Sequence, residues 1–153
     1  MRGFTDGEGS FYIHNTKGSQ FQFNFEITLH VDDIEVINYI QNSLGIGKVY
    51  IKKNRVTAKQ VVGPPWNGGG PQPFIVRNLD EIKIILDIFS KNPLNTTKHL
   101  NFLDFKRAYL LYTKKDSTRG ELKEILANIK SQMNRNRTDY NLGKDHVIKI
   151  TSN

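Results

Sequence analysis

Between Gln20 and Val31 the chain alternates without a break: Phe21, Phe23, Phe25, Ile27, Leu29 and Val31 on one side, Gln20, Gln22, Asn24, Glu26, Thr28 and His30 on the other. A period of two over that length predicts a strand with one buried face. The run Ser10 to Thr16 sets Phe11 and Ile13 against Ser10, Tyr12 and His14, so the two segments are expected to form a hairpin around Thr16-Lys17-Gly18-Ser19. Helical spacing follows. Asp32 or Asp33 caps a helix to about Ser43 with Ile34, Ile37, Ile40 and Leu44 on one side and Gly45 as its stop. Gly47 to Lys53 returns to strand alternation, and Arg55 to Val62 reads as a further strand. Residues 63–71 hold four glycines and three prolines, a density that neither a helix nor a ladder tolerates, so they are expected to be a loop. Trp66 within it either pins the loop to the body or stacks on a partner's base or sugar.

Phe74 to Arg77 reads as a short strand, and Asn78 caps a helix whose stripe is Ile82, Ile85, Leu86 and Phe89, ended by Pro93. Thr96 or Thr97 opens a long helix to about Tyr112, with Leu100, Leu103, Leu110 and Leu111 joined by Phe102, Phe105 and Tyr109. The last helix runs from Thr118 to Met133. Residues 134–153 are basic, polar and weakly patterned, an extended tail that a partner could order. Hairpins with helices between them give an α+β domain, one antiparallel sheet with helices on one face. Domain organisation is read as residues 1–133 for that unit and 134–153 for a C-terminal extension.

Composition narrows the function. The chain has 153 residues, enough for one domain with a real core, and its net charge of +7 points to a polyanionic partner such as nucleic acid. There is no cysteine, which removes disulfide scaffolds and thiolate metal sites. No apolar run approaches the ~18 residues of a membrane span, and no signal-peptide pattern is seen. The abundance of Asn, Lys and Ile is that of an AT-rich genome, which favours an organellar matrix, mitochondrial or other.

The candidate chemistry lies in the first ten residues, Met1-Arg2-Gly3-Phe4-Thr5-Asp6-Gly7-Glu8-Gly9-Ser10. Each glycine inside a helix costs roughly 1 kcal/mol against alanine, so Gly3 and Gly7 at helical spacing need a reason such as the close approach of another backbone. In that reading Glu8 stands at the helix end with Gly9 as its stop, half of a metal site; the other reading is a glycine-rich turn. The polar side of the hairpin carries groups that hydrogen-bond bases and phosphates, although any antiparallel sheet has a solvated face.

Gly3-Phe4-Thr5-Asp6-Gly7-Glu8-Gly9-Ser10-Phe11 is similar to the motif helix of the LAGLIDADG homing endonucleases and their maturase relatives. The resemblance continues in Phe25-Glu26-Ile27-Thr28-Leu29-His30, Leu44-Gly45-Ile46-Gly47, Phe74-Ile75-Val76-Arg77-Asn78-Leu79, Asn92-Pro93-Leu94-Asn95-Thr96-Thr97-Lys98 and Asp104-Phe105-Lys106-Arg107-Ala108-Tyr109. It implies a saddle-shaped αββαββα domain whose sheet lies in the DNA major groove, with two such domains pairing through their motif helices. By position it makes Glu8 the ligand of a divalent ion such as Mg²⁺, Lys98 a basic residue near the cleavage site, and Gly3 and Gly7 the helix contact. Asp6 is read as structural, and His14, His30, His99 and His146 receive no metal role. The expected nucleic-acid surface is Tyr12, His14, Gln22, Asn24, Glu26, Thr28, His30, Lys48, Tyr50, Lys52 and Arg77. Only Met1 and Arg2 precede Gly3, and a single motif cannot complete a two-acid site alone. The ending Ile129-Lys130-Ser131-Gln132-Met133-Asn134-Arg135 resembles the end of a second copy in double-motif proteins.

Two functions are therefore expected. The first is a site-specific, metal-dependent double-strand DNA endonuclease acting as a homodimer or with a second half. The alternative is a catalytically inactive member that binds structured RNA, as a maturase or as a component of an organellar ribosome or other ribonucleoprotein, with that particle's proteins as partners. Neither needs a membrane.

Overall fold

Alternation in the first hairpin is realised almost residue for residue. In the computed structural model, which describes residues 1–16, 20–50, 71–114 and 118–148 apart from the Arg119 side chain, strand β1 (Gly9–Asn15) pairs antiparallel with β2 (Phe21–Leu29), Phe11 facing Phe25 and Tyr12 facing Asn24. Before them lies helix α1 (Arg2–Glu8). After them come a 3₁₀ turn (Val31–Asp33), α2 (Ile34–Leu44), β3 (Lys48–Val49), β4 (Gln72–Val76), α3 (Leu79–Lys91), α4 (Lys98–Lys114) and α5 (Arg119–Ser131). The sheet order is β1-β2-β4-β3, every pairing antiparallel. This is the expected α+β architecture. The strand read at 55–62, the loop with Trp66, and the greater part of the strand continuing past Tyr50, including Lys52, lie outside the described residues.

One side of the hairpin builds the core. Phe11, Phe23, Phe25, Phe74, Phe89, Phe102 and Phe105 are all essentially inaccessible. Phe11 is the hub, its ring centroid 5.3 Å from those of Phe25 and Phe105, 5.7 Å from Phe102 and 6.0 Å from Phe89 in an edge-on contact. Such aromatic pairs add about 0.5–1.5 kcal/mol each beyond the area they bury. Phe11→Ala is accordingly expected to cost about 3–5 kcal/mol, measurable as a lower midpoint in urea unfolding with an unchanged slope.

Helices α3 and α5 start on side-chain caps, whereas Asp33, at the N-cap of α2, makes no cap hydrogen bond with its side chain. Asn78 Oδ1 accepts from the Asp80 and Glu81 amides (2.8 and 3.4 Å), as its position predicted. Thr118 and Glu121 form a capping box in which hydrogen bonds from Thr118 hold the Glu121 carboxyl below its ordinary value. The stripe of α3 is buried as expected. In α4 the outcome differs: Phe102, Phe105, Ala108 and Tyr109 face the core, whereas Leu103 and Leu110 are exposed. Apolar residues surround that helix, so periodicity could not choose the inward side. The Phe11 and Phe89 rings across the core chose the aromatic one.

Gly47 lets β3 reach β4. Its φ of +74° disfavours any other residue, and a Cβ there would lie 2.5 Å from the Phe74 ring.

Residues 134–148 run along the body. Asn134, left-handed at φ +56°, donates from Nδ2 to the Phe11 carbonyl on the free edge of β1 (2.9 Å). Asn101 Oδ1 accepts from the Asn134 amide (2.9 Å) and from Arg137 Nε (3.0 Å), and Arg137 also pairs with Asp104. Farther on, His146 lies against His99, ring centroids 5.0 Å apart. Burial, the neighbouring His146 and a partly opposing Asp6 together lower the pKa of His99. The tail's own contacts with α4 thus account for its path.

Candidate site at the end of the first helix and the polar sheet face

Seven residues make α1 too short to stand alone, so packing holds it. Thr5 is fully buried and its hydroxyl donates to the Met1 carbonyl (3.3 Å). Gly9 ends the helix as expected, but in an extended conformation (φ −74°) rather than a left-handed one. Its requirement is closeness: a Cβ would lie 2.5 Å from Thr5 Cγ2 and 2.7 Å from the Thr5 backbone.

The other side of α1 is open. Gly3, Phe4, Gly7 and Glu8 are all exposed, and a Cβ on Gly3 or Gly7 would meet nothing within 4 Å among the described residues. The packing described here therefore gives no reason for either glycine. Glu8 is exposed, and its carboxylate oxygens accept no hydrogen bond among the described residues. A hard divalent cation takes such oxygens together with phosphate and water, so the donor chemistry of Glu8 suits one ligand position. It does not make a full site, because no three His, Asp or Glu gather in metal-binding geometry among the described residues.

Lys98, the first residue of α4, reaches back to this end: its Nζ donates to the Gly7 carbonyl. Burial lowers its pKa below the ordinary lysine value, while the Glu8 and Asp6 carboxylates pull the opposite way. Two residues 90 positions apart are thus brought to one end of α1. Asp6, on the buried side of the same turn, binds the loop before α4 through the Asn95 and Thr96 amides (3.0 and 2.9 Å) and the Thr96 hydroxyl (2.9 Å).

On the sheet face away from the core, Ser10, Glu26, Ile75 and Lys48 stand in one row, Tyr12 beside Asn24 and His14 beside Gln22 in the next. Thr28 donates to Glu26 Oε1 (2.8 Å), and the Tyr12 and His14 rings stack at 5.9 Å. Arg77 lies over the Tyr50 ring at 5.4 Å. Asn24 is buried on this face, its Oδ1 without a hydrogen-bond partner among the described residues. Two expectations shift. His30 lies past the end of β2, where its Nδ1 accepts from the Asp32 amide (3.4 Å) and caps the 3₁₀ turn. Ile75, which the alternation did not single out, occupies the middle of the polar face. Sequence reading also missed Asn101, Asp104 and Arg137, whose pairing has no local signal.

Comparison with known proteins gives concordant matches. The family described as "LAGLIDADG endonuclease" matches residues 1–63 and 69–109. A probable intron-encoded endonuclease of Schizosaccharomyces pombe, Cox1-I1b, is 28% identical over 113 residues, covering 71% of this chain and 26% of the relative. Probable intron-encoded endonuclease 3 of Neurospora crassa is 27% identical over 86% of this chain and 24% of its own length. The chain thus spans about a quarter of these curated relatives. Among solved structures, the homing endonuclease I-LtrWI bound to its target DNA superposes with a TM-score of 0.73 at 29% identity, over 89% of this chain and 43% of that one. The meganuclease I-CpaMI bound to uncleaved DNA gives 0.68 at 30%, over 88% and 42%.

Proposed function

The chain belongs to the LAGLIDADG endonuclease family, and from that premise we propose that it is one half of a site-specific double-strand DNA endonuclease, completed by a second copy or a second domain of the same fold. The observation that carries the reading is the Lys98 ammonium on the Gly7 carbonyl at the end of α1, next in sequence to Glu8, beside a helix face on which a Cβ at Gly3 or Gly7 meets nothing among the described residues.

Glu8 would be this half's ligand to a divalent ion, Mg²⁺ being the natural choice for oxygen donors. When bound, such an ion supplies an activated water and charge stabilisation for phosphodiester hydrolysis. The chain's own residues do the rest. Lys98, held on the Gly7 carbonyl, sets a cation where negative charge develops on the phosphate. Gly3 and Gly7 admit the second helix, which delivers the second acid. The sheet face orients the duplex: Lys48 and Arg77 answer phosphates, and Tyr12, His14, Gln22, Asn24, Glu26, Thr28 and Tyr50 offer donors and acceptors to base edges. His30, past the end of β2, is assigned to its margin.

Among the described residues no helix is long and apolar enough to cross a membrane. The intron-encoded relatives and the Asn-, Lys- and Ile-rich composition support an organellar, mitochondrial setting.

The test is to select a cleaved duplex from a randomised library with the complete assembly and Mg²⁺. Site-specific double-strand cuts support the reading, and tight binding to structured RNA without cleavage of any duplex would replace it with a maturase or ribonucleoprotein role. With the duplex in hand, Lys48→Ala with Arg77→Ala is expected to reduce the slope of log K against log salt by roughly 1.8, the loss of about two phosphate contacts. An unchanged slope would remove these residues from the interface.

A further inference from the structure

Asp6 was read from sequence as structural, yet its contacts lead to one place. Its Oδ1 accepts from the Asn95 amide (3.0 Å), the Thr96 amide (2.9 Å) and the Thr96 hydroxyl (2.9 Å), and Oδ2 shares the Asn95 amide (3.2 Å). Thr96 Oγ1 in turn accepts from the Lys98 amide (3.4 Å). The Lys98 ammonium then donates to the carbonyl of Gly7, the residue next to Asp6. The contacts close a ring from α1 through the loop into α4 and back to α1. Its two ends on α1 are adjacent residues, and the following residue is Glu8.

We propose that Asp6 is the positioning residue for Lys98: its carboxylate fastens loop 95–96 to α1 so that the Lys98 ammonium stays on the Gly7 carbonyl beside Glu8, and it affects cleavage through Lys98. The inference rests on the reading of Lys98 given above. The residue type follows from the donor count. Three donors converge on one carboxylate, whose two oxygens offer about four lone-pair sites; an amide keeps one accepting oxygen and turns an NH₂ toward donors. Leu94, fully buried, anchors the loop to the core but does not fix the register of the residues that follow it. Pro93 and the irregular stretch before α4 leave that to Asp6. A lysine has four rotatable bonds, so a small shift at its Cα moves the ammonium by the distances that matter for catalysis. A misplacement of about 1 Å can cost on the order of a hundredfold in rate.

The experiment has two arms. In the purified chain, nuclear Overhauser contacts between the Lys98 Hε and Gly7 Hα protons are compared in the parent and in Asp6→Asn, with the Phe11–Phe102 ring contacts as the control for an intact core. Loss of the first with retention of the second is expected; Lys98–Gly7 contacts at parental intensity would overturn the proposal. In the cleaving assembly, Asp6→Asn, Lys98→Met and the double variant form a cycle. Asp6→Asn is expected to lower kcat by tenfold to a hundredfold with little change in DNA affinity, and to add nothing once Lys98 is Met. Losses that multiply would mean that Asp6 acts independently of Lys98 and would overturn the proposal. Should Lys98→Met cleave at the parental rate, the role of Lys98 fails, while the first arm still decides what holds it. If Asp6→Asn does not fold, Thr96→Val removes one donor and the Lys98 amide's acceptor without altering α1, and is expected to weaken the same contact.

Discussion

Glu8→Gln is expected to abolish double-strand cleavage while leaving duplex binding within a few-fold of the parent. The carboxylate is exposed at the end of α1 and accepts no hydrogen bond among the described residues, so an amide of the same shape breaks no hydrogen bond there and loses only the attraction to the Lys98 ammonium. What it removes is a formal charge and a hard oxygen ligand. Metal assistance to phosphoryl chemistry is worth several kcal/mol of transition-state stabilisation, and at 1.36 kcal/mol per decade that is on the order of a thousandfold in rate. Binding rests on the sheet face, which Glu8 does not share. Losing a negative charge near the phosphates would, if anything, favour association. The measurement is single-turnover cleavage over a range of Mg²⁺ concentrations alongside filter binding. Equal cleavage by parent and variant would end the assignment of Glu8 as a ligand.

A second large effect is expected at Gly7. Within this chain Gly7→Leu is harmless, because a Cβ there meets nothing among the described residues and leucine is the better helix former by up to about 1 kcal/mol. The thermal midpoint of the isolated chain should hold or rise slightly. Pairing should not. A helix that comes close over Gly3 and Gly7 has no room for an isobutyl group, and overpacking costs about 1–3 kcal/mol even where neighbours can yield. The complete assembly is expected to lose its second half in sedimentation and, with it, cleavage of both strands. A variant that pairs and cuts like the parent would show that the open face of α1 is not the interface. Gly9→Ala is the informative contrast, since its Cβ strikes Thr5 inside this chain and lowers stability before any partner is involved.

Much of the fold was legible because its signals are local. A period of two wrote β1 and β2, Asn78 and Thr118 announced α3 and α5, and Gly-x-x-x-Gly followed by Glu marked α1. Where a signal was ambiguous, the structure chose. Helix α4 is apolar on more than one side, and its inward face was selected by the rings of Phe11 and Phe89. Nothing in the local pattern of β4 placed Ile75 in the polar face, because five buried residues in a row hide its alternation. The link between Arg137 and Asp104, with Asn101 beside it, left no trace in the local pattern of either segment.

The sequence by itself determined the elements and the polar face, and it supplied the two residues proposed for the chemistry, a carboxylate between glycines and a lysine after a Pro-Leu-x-Thr segment. These are decided by neighbours along the chain. Only the tertiary structure decided that the two lie at one end of α1, with the Lys98 ammonium on the Gly7 carbonyl and the Asp6 carboxylate binding the loop that carries it. It also gave Gly9 a reason inside the chain and left Gly3 and Gly7 without one among the described residues. The physical difference is range: backbone preference and side-chain period act over a few residues, whereas the convergence of donors on a carboxylate depends on how two distant segments are packed.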